Sequence, residues 1–199
     1  MFTKRFVFYT CLTVLVPFIG CQTGIYLGGA QGDLGGGDGA IELPFARGFQ
    51  SLCTQGAHGS HSHSSISTEF DIDLDTDNFS DQEVFAPISG IARVFLTPNS
   101  GFGIHVNIDL GNGYYLVIAH LKTVFVSDGD EVTVGQLLGL EGCTGECSGD
   151  HVHIGMHLGD AGQTADHGES VPTLYRAQDM SQGGAMTTLQ SEDFVCGIR

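Results

Sequence analysis

Basic side chains are scarce in this 199-residue chain, which has 7 Lys and Arg residues against 23 Asp and Glu residues and a formal net charge of −16. Proteins that bind nucleic acid need a cluster of Lys and Arg to neutralise phosphates. The sequence contains no such cluster, so we expect no nucleic-acid partner. It also contains no internal repeat, and 41% of its residues are apolar, which argues against the fibrous and disordered classes.

Helical patterning is also missing, because no stretch repeats its apolar residues with the 3.6-residue period of an amphipathic helix. Thirty glycines, roughly twice the usual share, favour tight turns and short strands. A hairpin turn is predicted at residues 111–113. Alternating or β-branched runs predict strands within residues 83–95, 103–110, 114–121, 131–140 and 151–158. We therefore predict a mostly antiparallel β domain over residues 41–199, built from two packed sheets or one folded-over sheet, with at most short helices.

The N-terminal residues resemble a targeting segment. Two basic residues precede a charge-free run, Phe6–Gly20, which is shorter than the ~20 apolar residues of a membrane-spanning helix. The run ends Phe-Ile-Gly-Cys, which resembles a bacterial lipobox. The basic head and short apolar run predict a signal peptide at residues 1–20, and the lipobox resemblance implies a lipid-modified Cys21. Residues 21–40 are rich in Gly and poor in apolar residues, which predicts a flexible tether. Ordinary secretion with Cys21 unmodified is the alternative.

Four cysteines lie beyond this segment: Cys53, Cys143, Cys147 and Cys196. An even number in an exported protein suggests two disulfides. Cys143 and Cys147 could close a tight loop, which would leave Cys53 to pair with Cys196. A four-cysteine zinc site is the alternative, although the spacing contains no pair of CxxC halves.

Nine histidines outnumber the seven Lys and Arg residues, and imidazole is the commonest metal ligand in proteins. His151 and His153 alternate within a predicted strand, so their rings share one face about 6.6 Å apart. His157 shares that face but lies further along, and we expect it to be peripheral. His120 ends another predicted strand, where a buried core histidine is the alternative interpretation.

A third group of histidines precedes an alternating strand, and this region reads His58, His61, His63 and then Phe70-Asp71-Ile72-Asp73-Leu74. The apolar members of the strand face the core, so Asp71 and Asp73 share the opposite face. Two histidines and one carboxylate would give zinc three protein ligands and an open position, the arrangement of catalytic sites. Calcium is an alternative for the acidic run formed by Asp71, Asp73, Asp75 and Asp77, but no register provides the bidentate Glu of an EF-hand.

Together, these segments resemble the lysostaphin-type zinc endopeptidases, a family that cuts peptide cross-bridges in bacterial peptidoglycan. The resemblance covers roughly residues 43–157, with matches in order at 62–74, 83–90, 119–121, 126–145 and 151–153. Each motif alone is weak, whereas their order and spacing are specific. The resemblance implies an antiparallel two-layer β domain of the duplicated hybrid motif type.

The functional residues of that family map onto this sequence one by one. Three positions match the ligands of one Zn²⁺ ion per chain: His63, Asp73 and His153. Two positions match catalytic histidines that do not bind the metal: His120 and His151. His61 is a second choice for the first ligand. Asp71 stands where the family usually has a small residue, which leaves the choice between Asp71 and Asp73 open.

The resemblance implies a zinc-dependent endopeptidase acting on peptidoglycan peptide stems. It would be an exported lipoprotein of the bacterial cell envelope, facing the periplasm and held by its lipid anchor at the outer membrane. Relatives with this fold can instead be inactive and regulate other wall hydrolases, so a binding module is the alternative. All five functional positions are filled here, which favours an enzyme. A lipoyl-type carrier is disfavoured, because Lys122 is the only lysine after the signal and lies outside a hairpin tip.

Overall fold

The computed structural model describes residues 39–47, 49–76, 81–164, 168–179, 185–194 and 196. The predicted signal peptide, the predicted lipidation site Cys21 and nearly all of the predicted tether lie outside these residues, as does Asp77 of the acidic run. Within the described ranges, no helix combines the length and the apolar character needed to cross a lipid bilayer.

Within the described residues the chain forms β-strands and one short 3-10 helix, Ser191–Asp193. The strands are β1 (Ile41–Glu42), β2 (Leu52–Gln55), β3 (Ile72–Asp75), β4 (Glu83–Phe85), β5 (Gly90–Leu96), β6 (Ile104–Asp109), β7 (Tyr114–Leu121), β8 (Thr123–Val124), β9 (Glu131–Val132), β10 (Leu137–Leu140), β11 (Val152–Leu158), β12 (Glu169–Val171), β13 (Leu174–Asp179) and β14 (Ala185–Gln190).

The strands form one large sheet and two small ones. The large sheet has the order β2-β3-β11-β7-β6-β5-β9, with β12 paired to β11, and the small sheets have the orders β4-β10-β8 and β1-β13-β14. The paired strands are antiparallel except for β1 and β13, which run parallel. This arrangement confirms the predicted mostly β, antiparallel fold class.

One apolar core joins the large sheet to the small ones. Alternate residues of the large sheet, such as Ile72, Ile118 and Ile154, share this core with Val84 of β4 and Leu138 of β10. All five are at most 1% exposed. Because side chains alternate along a strand, the intervening residues of β3, β7 and β11 lie on the opposite face of the large sheet, and that face carries the candidate site.

The predicted strand over residues 131–140 is wrong as a single element, because it is divided into β9 and β10. A tight turn separates them, in which the Gln136 amide donates to the Thr133 carbonyl at 2.9 Å and Gly135 has a φ of +81°. Strand β9 pairs with β5 in the large sheet, whereas β10 pairs with β4 and β8. The turn therefore carries the chain from one sheet to another.

Candidate metal centre

Neighbouring strands bring two of the predicted metal ligands side by side. In the register of β3 with β11, Asp73 lies directly opposite His153. A third residue, His63, comes from the long turn region between β2 and β3 and is completely buried. Pairing of β3 with β11 is a long-range contact, so the site exists only in the folded sheet.

Three donor atoms converge at this point. His63 Nε2 lies 3.3 Å from Asp73 Oδ1 and 3.3 Å from His153 Nδ1, and His153 Nδ1 lies 2.9 Å from Asp73 Oδ1. Zinc bound tetrahedrally at ~2.0–2.1 Å would hold its ligand atoms about 3.3–3.4 Å apart. Within the described part of the chain, His63, Asp73 and His153 form the one cluster of His, Cys, Asp or Glu side chains whose ligand atoms lie close enough together to hold a metal ion.

Partners behind the three side chains determine which atoms face the centre. His63 Nδ1 lies 3.0 Å from the Gly56 carbonyl, which can only accept, so Nδ1 carries the proton and Nε2 presents a lone pair. The Gln55 amide donates to Asp73 Oδ2 at 3.1 Å, which leaves Oδ1 for the centre. His153 Nε2 lies 2.9 Å from Asp71 Oδ2, so His153 can present Nδ1.

The electrostatics of the centre favour a cation. Burial disfavours charge on His153, but hydrogen bonds and attraction from Asp71 and Asp73 outweigh it and raise the pKa of His153 to about 10. Burial also opposes ionisation of Asp73, yet His153 and His63 hold the pKa of its carboxyl below the ordinary value. A proton on His153 Nδ1 and a metal ion would therefore compete for the same position. Two imidazoles and one carboxylate are ligands that suit zinc.

Two second-choice ligands lie elsewhere. Asp71 is completely buried behind His153 and contacts the ring nitrogen that points away from the centre. His61 is exposed on the turn that contains His63. The described cluster of possible ligands includes neither of them.

His120 lies at the end of β7 beside the centre, with its ring 5.8 Å from the His153 ring between centroids. Its backbone has a φ of +62°, which is rare for a residue with a side chain. The His120 amide donates to the Phe102 carbonyl at 3.0 Å, and Nδ1 donates to the Thr144 carbonyl at 2.8 Å. Backbone strain is thus combined with a fixed ring, a combination found at functional sites.

The protonation state of His120 follows from its surroundings. Burial, assisted by the neighbouring His153 and His151, lowers the pKa of His120 to about 3. The ring is therefore neutral near pH 7. Because Nδ1 donates its proton to the Thr144 carbonyl, the Nε2 atom carries a lone pair.

His151 completes the group of imidazoles. Its ring lies 4.7 Å from the His120 ring, and its Nε2 lies 3.7 Å from Asp73 Oδ1. The Nδ1 atom lies 2.7 Å from the Gly149 carbonyl, which orients the ring with Nε2 towards Asp73. His151 pairs through an isolated β-bridge with Gly142. The two predicted catalytic histidines and the three predicted metal ligands thus occupy one region.

A disulfide closes the loop beside these histidines. Cys143 is bonded to Cys147, and the Cys147 sulfur lies 3.7 Å from His151 Nδ1. Within the same loop, a Cβ at Gly145 would lie 2.4 Å from the Gly101 carbonyl oxygen, so the close approach of the two segments requires glycine. The second disulfide joins Cys53 of β2 to Cys196. The four cysteines therefore form two separate pairs and not a single four-cysteine cluster.

Sequence reasoning missed several residues that support the site. The expectation that His157 is peripheral is wrong, since the side chain is completely buried and its Nε2 lies 3.0 Å from Asp71 Oδ2. The periodicity of β11 placed His157 on the correct face, but it carried no signal that Asp71 would reach across. Gln55 and the Thr144 carbonyl were also missed, because no motif marks an amide or a backbone oxygen.

Comparison with known sequences gives a family match. A sequence model described as peptidase family M23 matches residues 71–176, more than half of the chain. This range includes Asp73, His120, His151 and His153, whereas His63 precedes it.

Two individual proteins illustrate the similarity in sequence. The chain is 39% identical over 66 residues to the peptidoglycan DD-endopeptidase ShyA of Vibrio cholerae, covering 33% of this chain and 15% of that protein. It is 28% identical over 117 residues to an uncharacterized metalloprotease of Haemophilus influenzae, covering 58% of this chain and 22% of that protein. The matched segments thus span under a quarter of either relative.

Among solved structures, the catalytic domain of the prophage-encoded M23 protein EnpA from Enterococcus faecalis, crystallised as a point mutant, aligns with a TM-score of 0.52 at 21% identity. The alignment covers 65% of this chain and 93% of that domain. At this identity the likeness concerns the fold.

Proposed function

The chain belongs to peptidase family M23, and from this premise we propose that it is a zinc-dependent endopeptidase that hydrolyses peptide cross-bridges of bacterial peptidoglycan. The similarity to a peptidoglycan DD-endopeptidase supports the substrate class. The matched segment covers 15% of that relative, and the chemistry of the site supports the reaction.

One observation carries the proposal: the atoms His63 Nε2, Asp73 Oδ1 and His153 Nδ1, each of which can offer a lone pair, lie within 3.3 Å of one another. We assign these atoms as the ligands of one Zn²⁺ ion per chain, because two imidazoles and a carboxylate suit zinc and leave one position open. Bound zinc supplies Lewis acidity, which makes a water molecule more acidic and polarises the scissile carbonyl.

We assign proton transfer to His120 and His151. The neutral His120 ring offers Nε2 as an acceptor, so it can take the proton of the attacking water as a general base. His151 is oriented by the Gly149 carbonyl in the same way. Once protonated, an imidazole becomes a donor at Nε2 and can stabilise the oxyanion of the tetrahedral intermediate or return the proton to the leaving amine.

We further propose that the protein is exported and anchored to the cell envelope through a lipid on Cys21. The basic head, the short apolar run and the terminal Cys of the N-terminal segment support this proposal. Metabolic labelling with a palmitate analogue tests it: the unaltered protein should be labelled, and a Cys21→Ala variant that is still labelled would contradict it.

Zinc analysis and wall digestion test the enzymatic proposal together. We expect the purified protein to contain one equivalent of zinc and to release fragments from isolated peptidoglycan whose masses identify the bond that is cut. His63→Ala should abolish zinc binding and release, whereas the matched control His61→Ala, altered at an exposed side chain on the same turn, should retain both. Zinc-loaded protein that binds peptidoglycan without releasing fragments would favour the regulatory alternative.

A further inference from the structure

Asp71 occupies an unusual position behind the candidate metal centre. Its carboxylate is completely buried and contacts two histidines. Oδ2 lies 2.9 Å from His153 Nε2, while Oδ2 and Oδ1 lie 3.0 and 3.2 Å from His157 Nε2. Asp71, His153 and His157 thus form a continuous buried chain that begins at a candidate metal ligand and runs away from the centre.

The space for this carboxylate is provided by Gly155. Strand register pairs Asp73 with His153 and Ile72 with Ile154, so Asp71 lies level with Gly155 on the same face of the sheet. A Cβ built on Gly155 would lie 1.8 Å from Asp71 Oδ1. Any side chain at residue 155 would therefore occupy the place that the Asp71 carboxylate now takes.

The direction of the hydrogen bonds follows from the chemistry of each group. If His153 offers the Nδ1 lone pair to a metal, its only proton is on Nε2, and Nε2 donates to Asp71. His157 Nε2 also donates, since an ionised carboxylate can only accept. The buried Nδ1 of His157 has no hydrogen-bond partner within the described residues, so the proton that this environment requires is the one on Nε2.

The ring of His157 is itself held in place by aromatic neighbours. The Tyr115 ring lies 5.4 Å from it and the Phe102 ring 6.4 Å from it, between centroids. Phe102 also contacts His153 at 4.8 Å. Asp71 is therefore held on one side by the packed ring of His157 and on the other by the candidate ligand His153.

We propose that Asp71 and His157 are positioning residues for the metal: Asp71 fixes the tautomer and orientation of His153, and His157 holds Asp71 in place. This inference rests on the proposed assignment of His63, Asp73 and His153 as zinc ligands. Carboxylates that accept from a ligating histidine contribute about 10- to 100-fold to metal affinity in other proteins.

Zinc affinity, measured by competition with a chromophoric chelator, tests the inference. We expect Asp71→Ala to bind zinc about 10- to 100-fold more weakly than the unaltered protein. Asp71→Asn keeps the size and one acceptor oxygen but loses the charge, so its loss should be smaller. Asn107→Ala is the matched control, because Asn107 is buried on the same face and donates to the Ala161 and Gln163 carbonyls without contacting the centre.

A double-mutant cycle distinguishes positioning from general destabilisation. His157→Phe should weaken zinc binding by a smaller factor than Asp71→Ala, and it should have no further effect in the Asp71→Ala background, because its action passes through the Asp71 side chain. Melting temperatures of the zinc-free proteins, taken in parallel, report stability separately. The Asn107→Ala control should lower the melting temperature and leave zinc affinity unchanged.

The outcomes separate this inference from the proposed function. If the unaltered protein binds zinc and both Asp71 variants bind it within twofold of that affinity, the positioning role is wrong while the metal site stands. The positioning role would also be wrong if His157→Phe weakened zinc binding by the same factor in the unaltered protein and in the Asp71→Ala background. If the unaltered protein binds no zinc, the proposed function fails and the positioning role fails with it. Should Asp71→Ala not fold, Asp71→Asn and His157→Phe decide the question.

Discussion

The two faces of strand β11 differ in chemistry although they share one backbone. Val152, Ile154 and Met156 enter the apolar core between the sheets. On the other face, His153 and His157 are as deeply buried but contact carboxylates. One face stabilises the domain by removing apolar surface from water, whereas the other holds polar groups that need partners to be buried at all.

Burial therefore has opposite consequences on the two faces. An apolar residue contributes to stability in proportion to its area, without regard to direction. A buried imidazole or carboxylate is costly unless it is hydrogen-bonded, and the directions of its hydrogen bonds orient the metal-facing atoms. Stability and chemistry on β11 should consequently be separable by substitution.

The strongest test replaces the metal-facing residue of β11. His153→Ala should lose bound zinc and reduce the rate of peptidoglycan cleavage at least ~10³-fold, because the Lewis acidity of the ion is worth several kcal/mol. Zinc content and fragment release measure both effects. A variant that retains zinc and cleaves at a normal rate would show that the two faces do not divide in this way.

A smaller loss is expected from His120→Ala, next to the metal ligands but not among them. Turnover should fall about 10²- to 10⁴-fold, the usual contribution of general acid–base catalysis, with zinc content unchanged. Steady-state rates on purified peptidoglycan and metal analysis check the prediction. Unchanged turnover would refute the role assigned to His120.

The opposite face is tested by Ile154→Ala, one residue from His153. Removing this fully buried side chain should lower the free energy of unfolding by about 2–4 kcal/mol through lost burial and a cavity. Urea denaturation measures the change. Zinc content and turnover per folded molecule should stay normal, and loss of zinc without loss of stability would contradict the comparison.

The smallest effect concerns a buried carboxyl that has no histidine partner. Burial, with Asp75 and Asp150 nearby, raises the pKa of Glu141 to about 7, although a hydrogen bond from Thr76 opposes the shift. The other carboxylate oxygen of Glu141 has no partner within the described residues. This environment contrasts with that of Asp71 and Asp73, whose pKa values are lowered.

A pH series with Glu141→Gln checks that contrast. Since the folded pKa lies above the ordinary value of 4.5, protonated Glu141 stabilises the fold at low pH, and this contribution is lost as the pH rises through about 7. Glu141→Gln should therefore raise the melting temperature by a few degrees at pH 8 and have little effect near pH 4. An equal shift at both pH values would point to packing.

Local pattern predicted much of the fold and of the site. Alternation placed His151 and His153 together and separated Asp73 from Ile72 and Leu74, because side-chain direction in a strand has a fixed period. The division of β9 from β10 was missed, because each pairs with a different sheet and that choice is made by long-range packing.

The support behind the metal centre could not be predicted from local pattern. Its arrangement depends on the absence of a side chain at Gly155 and on the register of β3 with β11. A glycine in a strand indicates a close approach of some kind, but only the folded sheet identifies the Asp71 carboxylate as the group that approaches. The same reasoning applies to His157, whose partner lies 86 positions away in sequence.

The bond between Cys53 and Cys196 spans 143 positions of the sequence. It ties the region after the last strand to β2, which borders the ligand-bearing strand β3. A single proteolytic cut in any loop between these two cysteines would leave both fragments covalently joined. Nicked protein would therefore migrate as one species on a denaturing gel until a reductant is added.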